Sequence, residues 1–275
     1  MVLMDHDKLK AALLTIRDAP LDFTLVFSGK GNNRVNGMYK AETREIVIND
    51  RNFTDNNLLL YTAVHEYAHH LHACARGGVL PRRSHTVEFW SILHDLLKRA
   101  EEKGLYRNVF YDSPELVKLT ALIREKYLRE NGTLVKELGM HLLKAYTLCG
   151  DTGGRFEDYL DRVLCIPRTA AAAVMRMYQY NTNPALGADN MRFVAGIRNE
   201  EKRTAAEAAL LRGKSPDTVK AESKRQATGS PPPPAEEPRM VLEKEKSRIE
   251  RTIAHLSKRL HEIEQALHPP SPTVS

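Results

Sequence analysis

At 275 residues, 42% of them hydrophobic and 28% charged, the chain can bury a sizeable core and is long enough for more than one domain. No apolar run approaches the roughly 20 residues that span a bilayer, so no membrane segment is expected. Cys74, Cys149 and Cys165 are odd in number and far apart, which argues against a disulfide framework and for a reducing, cytoplasmic setting. A net charge of +6 and a pI near 9.1 permit nucleic-acid binding without requiring it.

The opening MVLMDHDKLK carries two acids and no apolar h-region, so it does not read as a secretory signal. Residues 5–18 predict a helix with Leu9, Ala12, Leu13 and Ile16 on one face and Pro20 after its end. DFTLVFS (22–28), VNGMYK (35–40) and REIVIN (44–49) are strand candidates, the first followed by the turn-forming GKGNN. A small antiparallel or mixed sheet is expected to lie directly before the next helix.

That helix carries TAVHEYAHHLHACARGG. Leu59, Leu60, Ala63, Val64, Ala68 and Leu71 make it a buried helix, Thr54 or Asp55 can cap it, and Gly77-Gly78 with Pro81 stop it. His65 and His69, four residues apart, lie one turn apart on one face and can hold a single ion; two neutral imidazoles suit Zn²⁺. Glu66 lies about 100° around the helix from His65, where its carboxylate can act as general base toward a metal-activated water. His85 in SHTVEFW is a third-ligand candidate, opening an amphipathic segment with Phe89, Trp90, Leu93, Leu96 and Leu97. Glu88, one turn after His85, and His72, at i+3 from His69, are rival third ligands.

Over residues 20–105 this combination resembles the SprT-like zinc metallopeptidases and related minimal gluzincin-like and WLM-type domains. In them a strand leads into an H-E-x-x-H helix, and a short loop returns a third histidine before an aromatic-rich helix. Here the matching residues are His65, Glu66, His69 and then His85 with Phe89-Trp90. Tyr67 stands where many relatives have an aliphatic residue. The resemblance implies a zincin-like domain, a Zn²⁺ held by His65, His69 and His85, and peptide hydrolysis with Glu66 as base. It further implies a protein or peptide substrate added as a strand to the sheet edge beside the metal. The segment Ile46–Asn49 is the expected edge strand.

Beyond the motif the chain reads as helical. Ser113-Pro114-Glu115 is a helix start, with Leu116, Leu119, Ile123 and Tyr127 on one face and Asn131-Gly132 as the stop. Thr133 is expected to cap a second helix with Leu134, Leu138, Leu142 and Tyr146, ending near Gly150. After GDTGG, residues 155–180 predict two helices about an Ile166-Pro167 turn, the second capped by Thr169. The spacing resembles a helix-turn-helix, with Arg168, Thr169 and Arg176 as candidate DNA contacts. Short helices follow at 189–197, 199–212 and from Ser215-Pro216, with a basic run of lysines and arginines.

GSPPPPAEEP (229–238) is a spacer, and a long helix is expected beyond it. Leu242, Ile249, Ile253, Leu256, Leu260, Ile263 and Leu267 follow alternating steps of four and three around Lys246, a heptad pattern whose simplest partner is a second copy of the chain. The tail HPPSPTVS reads as disordered.

The expected architecture is therefore α+β. A zincin-like domain (1–110) precedes an all-α region (111–228), a proline-rich linker (229–239) and a coiled-coil helix (240–268). The expected function is a zinc metallopeptidase, regulatory or DNA-associated. A layout resemblance to ImmA/IrrE-type peptidases, which join a zincin to a helix-turn-helix, stops at the third ligand, typically a glutamate there. The alternative is a DNA-binding regulator with a structural metal site and coiled-coil dimerisation.

Overall fold

The computed structural model describes residues 3–31, 34–228 and 238–267. It is mainly helical with one small mixed sheet, an α+β architecture. No helix among the described residues is long and apolar enough to cross a membrane. Contacts divide the chain into two compact units, Met1–Arg107 with Ser230–Ser275, and Asn108–Gly229.

In the first unit, α1 (His6–Ile16) is capped by Asp5, whose carboxylate accepts the Lys8 amide 2.9 Å away. Strands β1 (Thr24–Phe27), β2 (Gly37–Lys40) and β3 (Glu45–Ile48) follow, then α2 (Asn56–Cys74) and α3 (Val87–Glu102). The strand order is β1-β3-β2, with β1 parallel and β2 antiparallel to β3. Strand β3 is thus the inner strand, and the expectation that Ile46–Asn49 forms the edge is corrected. The reason is topological: the short turn between β2 and β3 pairs them as a hairpin, and β1 then joins the remaining side of β3.

Helix α2 is the centre of this unit. Fourteen of its residues are buried, because α1, α3 and the sheet all pack on it. Leu59, Leu60, Val64, Tyr67 and Leu71 meet Ile46 and Ile48 of β3 and Phe89, Leu93 and Leu96 of α3 in one cluster. Burying that much apolar surface holds the motif helix in one setting.

In the second unit, α4 (Pro114–Leu122) starts at Ser113, whose hydroxyl accepts the Leu116 amide 3.2 Å away. It runs on through a π-helical stretch, Ile123–Arg129, into α5 (Glu130–Asp151), with helical dihedrals at both joints. The break expected at Asn131-Gly132 is therefore absent. Gly132 serves close packing instead: a Cβ there would collide with the Pro184 carbonyl, as one at Gly139 would with that of Val174. The Thr133 hydroxyl bonds back to the Arg129 carbonyl at 3.1 Å and caps nothing.

Residues α6 (Phe156–Asp158) and the π-helical Tyr159–Leu164 end at Cys165, which is left-handed at φ 54°. Then come α7 (Arg168–Gln179), α8 (Ala188–Ala195), α9 (Glu200–Leu211) and α10 (Pro216–Thr228). The N-cap of α7 is Pro167; Thr169, expected as the cap, lies inside the first turn. Met177, Met191, Val194, Leu210 and Val219 form one cluster and Leu142, Leu160, Ala171 and Val174 another.

The last helix, α11 (Pro238–Leu267), exposes the heptad residues Leu242, Ile249, Ile253, Leu256, Leu260 and Ile263. Linker residues 229–237 and the tail 268–275, expected to be extended and disordered, lie outside the described residues.

Candidate metal centre

The site begins with the cap of α2. Asp55 accepts the amides of Asn57 and Leu58 at 2.7 and 3.0 Å, which fixes the helix start and with it the face on which His65 and His69 stand. Their ring centroids are 5.1 Å apart. The helix ends where Gly77 and Gly78 take positive φ, a conformation that glycine adopts without a Cβ penalty. The chain then returns to Thr86, which caps α3, and His85 immediately precedes that cap.

His85 meets the pair. Its Nε2 lies 3.0 Å from Nε2 of His65 and 3.2 Å from Nε2 of His69, and the three offer ligand atoms all within 4.8 Å of one another. Three imidazole nitrogens on a tetrahedral Zn²⁺ at 2.0–2.1 Å stand roughly 3.4 Å apart, close to these spacings. Burial and the neighbouring imidazoles lower the pKa of His65 to about 4 and of His69 to about 3. Both rings are therefore neutral at pH 7, the form in which an imidazole nitrogen can offer a lone pair to a metal. Phe89 stacks on His69 at 4.2 Å and Trp90 on His85 at 5.5 Å, so α3 sets the ring planes. The residues present fit a metal ion.

The rivals for the third position are not part of this group. Neither His72 nor Glu88 joins the three histidines among the described residues. His72 is buried, with an unpartnered Nδ1. His70 faces away from the ligands, toward the Leu21 carbonyl and the Tyr39 hydroxyl. Arg82 and Arg83 are exposed in the connecting loop.

Glu66 is only 7% exposed, and burial raises its pKa to about 7, offset in part by a hydrogen bond from the Tyr39 amide. Strand β2 presses on it: a Cβ on Gly37 would stand 3.0 Å from its Cγ. The hydrogen-bond alternation shows which way β2 faces. The Asn49 amide donates to Asn36 across the β2–β3 pair, whereas the Ile48 carbonyl accepts from Ser28 on the β1 side. Gly37 pairs with Ile48 and Tyr39 with Ile46, so the peptide groups of Gly37 and Tyr39 point away from β3. They face a cleft of about 440 Å³ that runs from Val35–Tyr39 across the three histidines to Tyr61, Leu80 and Ser84. Sequence reasoning missed Gly37 and Tyr39 as site residues; a glycine inside a strand pattern was the available signal.

On α7, Thr169 and Arg176 are exposed, as is Arg168. Arg168, however, is engaged by the Asp161 carboxylate in a short ion pair.

In comparisons with protein-family models, curated proteins and solved structures, nothing matches this chain.

Proposed function

We propose that the chain is a zinc-dependent peptidase of the SprT-like kind. What supports this reading most is the approach of His85 to within 3.0 Å of His65 and 3.2 Å of His69 beside a buried Glu66, in a cleft bordered by the outer strand β2. A structural zinc site would be closed by a fourth protein ligand and would have no use for a base. Zinc here would supply Lewis acidity, polarising the scissile carbonyl and acidifying water.

The chain's own residues do the rest. The Gly37 peptide group, with the Tyr39 carbonyl, pairs with an extended substrate backbone as an added strand. Glu66 takes the proton of the attacking water at its carboxylate and passes it to the nitrogen of the leaving amine. Burial of Glu66 favours its taking up that proton. Phe89 and Trp90 keep His69 and His85 from turning away.

The helical region serves delivery in this reading. Exposed Thr169 and Arg176 on α7 support contact with DNA or a DNA-bound protein, whereas Arg168 is held by Asp161. The exposed heptad stripe of α11 supports a homodimer.

The test is Glu66→Gln in the zinc-loaded chain, assayed on fluorescein-labelled casein with and without single-stranded DNA. Metal content should stay at one per chain while cleavage falls about a hundred- to ten-thousand-fold. Cleavage that survives the change would remove Glu66 from the mechanism. A wild type that binds zinc but cleaves nothing under either condition would favour the DNA-binding regulator.

A further inference from the structure

We propose that His70 is a positioning residue that holds the edge strand β2 at its working distance from Glu66, acting through the Tyr39 hydroxyl. The inference rests on the peptidase reading above. His70 is fully buried and belongs to no part of the chemistry so far described. Its Nε2 lies 2.9 Å from the Leu21 carbonyl oxygen. A carbonyl only accepts, so Nε2 carries the ring proton and Nδ1 is left as an acceptor. The Tyr39 hydroxyl, 3.1 Å from Nδ1, must then donate to it. Both bonds have one possible sense, and Phe23 and Tyr67, with centroids 5.0 and 6.0 Å away, flank the ring.

The motif helix thereby presents two i,i+4 pairs. His65 and His69 form one; Glu66 and His70 form the other, facing β2. Tyr39 is tied at both ends to this second pair, its hydroxyl to His70 and its amide to the Glu66 carboxylate. Two residues earlier on the strand, Gly37 carries the peptide group that faces the cleft. A shift of Tyr39 therefore moves the Gly37 peptide relative to the base. Leu21 lies just before β1, so the same imidazole also anchors the approach to the far edge of the sheet.

The experiment uses the zinc-loaded full chain with Tyr39→Phe, His70→Phe and His70→Gln, below the Tm of each variant. Steady-state cleavage of fluorescein-labelled casein is measured beside amide exchange over Gly37–Lys40. Tyr39→Phe removes one oxygen and keeps the ring. It and His70→Phe should raise KM roughly fivefold with kcat within about twofold, and speed β2 exchange by a similar factor while α2 exchange is unchanged. His70→Gln, whose amide both donates and accepts, should recover most of the loss. Unchanged KM and β2 exchange, a loss confined to kcat, or no recovery in His70→Gln would overturn the proposal. A wild type that cleaves no casein counts against the peptidase reading. The exchange data then decide alone, unchanged β2 exchange overturning the role of His70 and faster exchange upholding it.

Discussion

Gly37 packs so close to Glu66 that a larger residue could enter only if a neighbouring side chain gave way. A Cβ on Gly37 would stand 3.0 Å from Cγ of Glu66, 3.1 Å from Cγ2 of Thr62 and 3.2 Å from Cδ1 of Ile48. The edge strand and the Glu66 side chain therefore share one space. Gly37→Ala should force the strand outward or turn the Glu66 side chain. Activity should fall about tenfold or more while zinc content stays the same, because the nearest neighbours of the added Cβ are Glu66, Thr62 and Ile48 and not a ligand histidine. Side-by-side elemental analysis and kinetics check this; full activity in Gly37→Ala would show that the strand does not border the reacting atoms.

The ligand set predicts a stoichiometry. Elemental mass spectrometry should find one metal per chain in the wild type and none in His65→Ala or His85→Ala. Trp90, the sole tryptophan, stacks on His85, so its fluorescence should change on zinc addition and saturate at one equivalent. Free zinc at a hundred times Kd should stabilise the fold by about 2.7 kcal/mol. Metal retained in His85→Ala would show that His85 is not a ligand.

Metal-free protein should lose stability in mild acid. Burial depresses the pKa of His65 and His70 to about 4 and of His69 to about 3, while in the unfolded chain each titrates near 6.5. Below pH 6.5 the unfolded state binds protons that the folded state refuses, so stability drops as pH falls from about 6.5 to 4. Glu66 acts in the opposite sense: its pKa is raised from 4.5 to about 7, and the stability it contributes is full below 4.5 and lost as pH rises through 7. Three imidazoles against one carboxyl leave the net slope with the histidines. Thermal melts of the chelated protein from pH 4.5 to 7 should show Tm rising with pH; a falling Tm would contradict the burial of these rings.

The α11 stripe predicts self-association. Leu242, Ile249, Ile253, Leu256, Leu260 and Ile263 are each 43–59% exposed on a helix whose apolar period is 3.5 residues. Light scattering should give twice the monomer mass for the full chain and the monomer mass for an Ile253→Glu/Leu256→Glu variant. A wild-type monomer at micromolar concentration would leave the stripe to another partner.

Close packing in the helical unit can be tested at Gly139, where a Cβ would run into the Val174 carbonyl. Gly139→Ala should cost about 1–3 kcal/mol through overpacking, although alanine is the better helix former. Chemical denaturation measures it, and a stabilised variant would mean that α5 and α7 separate easily.

Much of the site was legible in the sequence because its determinants are local. The spacing of His65, Glu66 and His69 fixes their relative angles on any helix, a cap at Thr54 or Asp55 and the Gly77-Gly78 stop bracket that helix, and His85 stands out as a third-ligand candidate through the resemblance, with Glu88 and His72 as rivals. The three strands could be placed from composition alone. Their order could not: that β3 is inner and β2 borders the cleft depends on pairing between segments apart in the chain. The same limit hid the meaning of two glycines. Gly132 reads locally as a helix stop, yet it lies within one because the Pro184 backbone passes where a side chain would be. Gly37 sits inside a strand pattern, yet it lets that strand rest on Glu66. His70 was legible only as a residue off the ligand face; its partners, Leu21 and Tyr39, are 49 and 31 residues away in the chain. The sequence by itself determined that His65, Glu66 and His69 share one helix at fixed angles, since that follows from helical geometry, and it left His85, Glu88 and His72 as candidates for the third position. Tertiary structure alone decided which backbone edge faces them, because strand order and close approach are set by packing between distant segments.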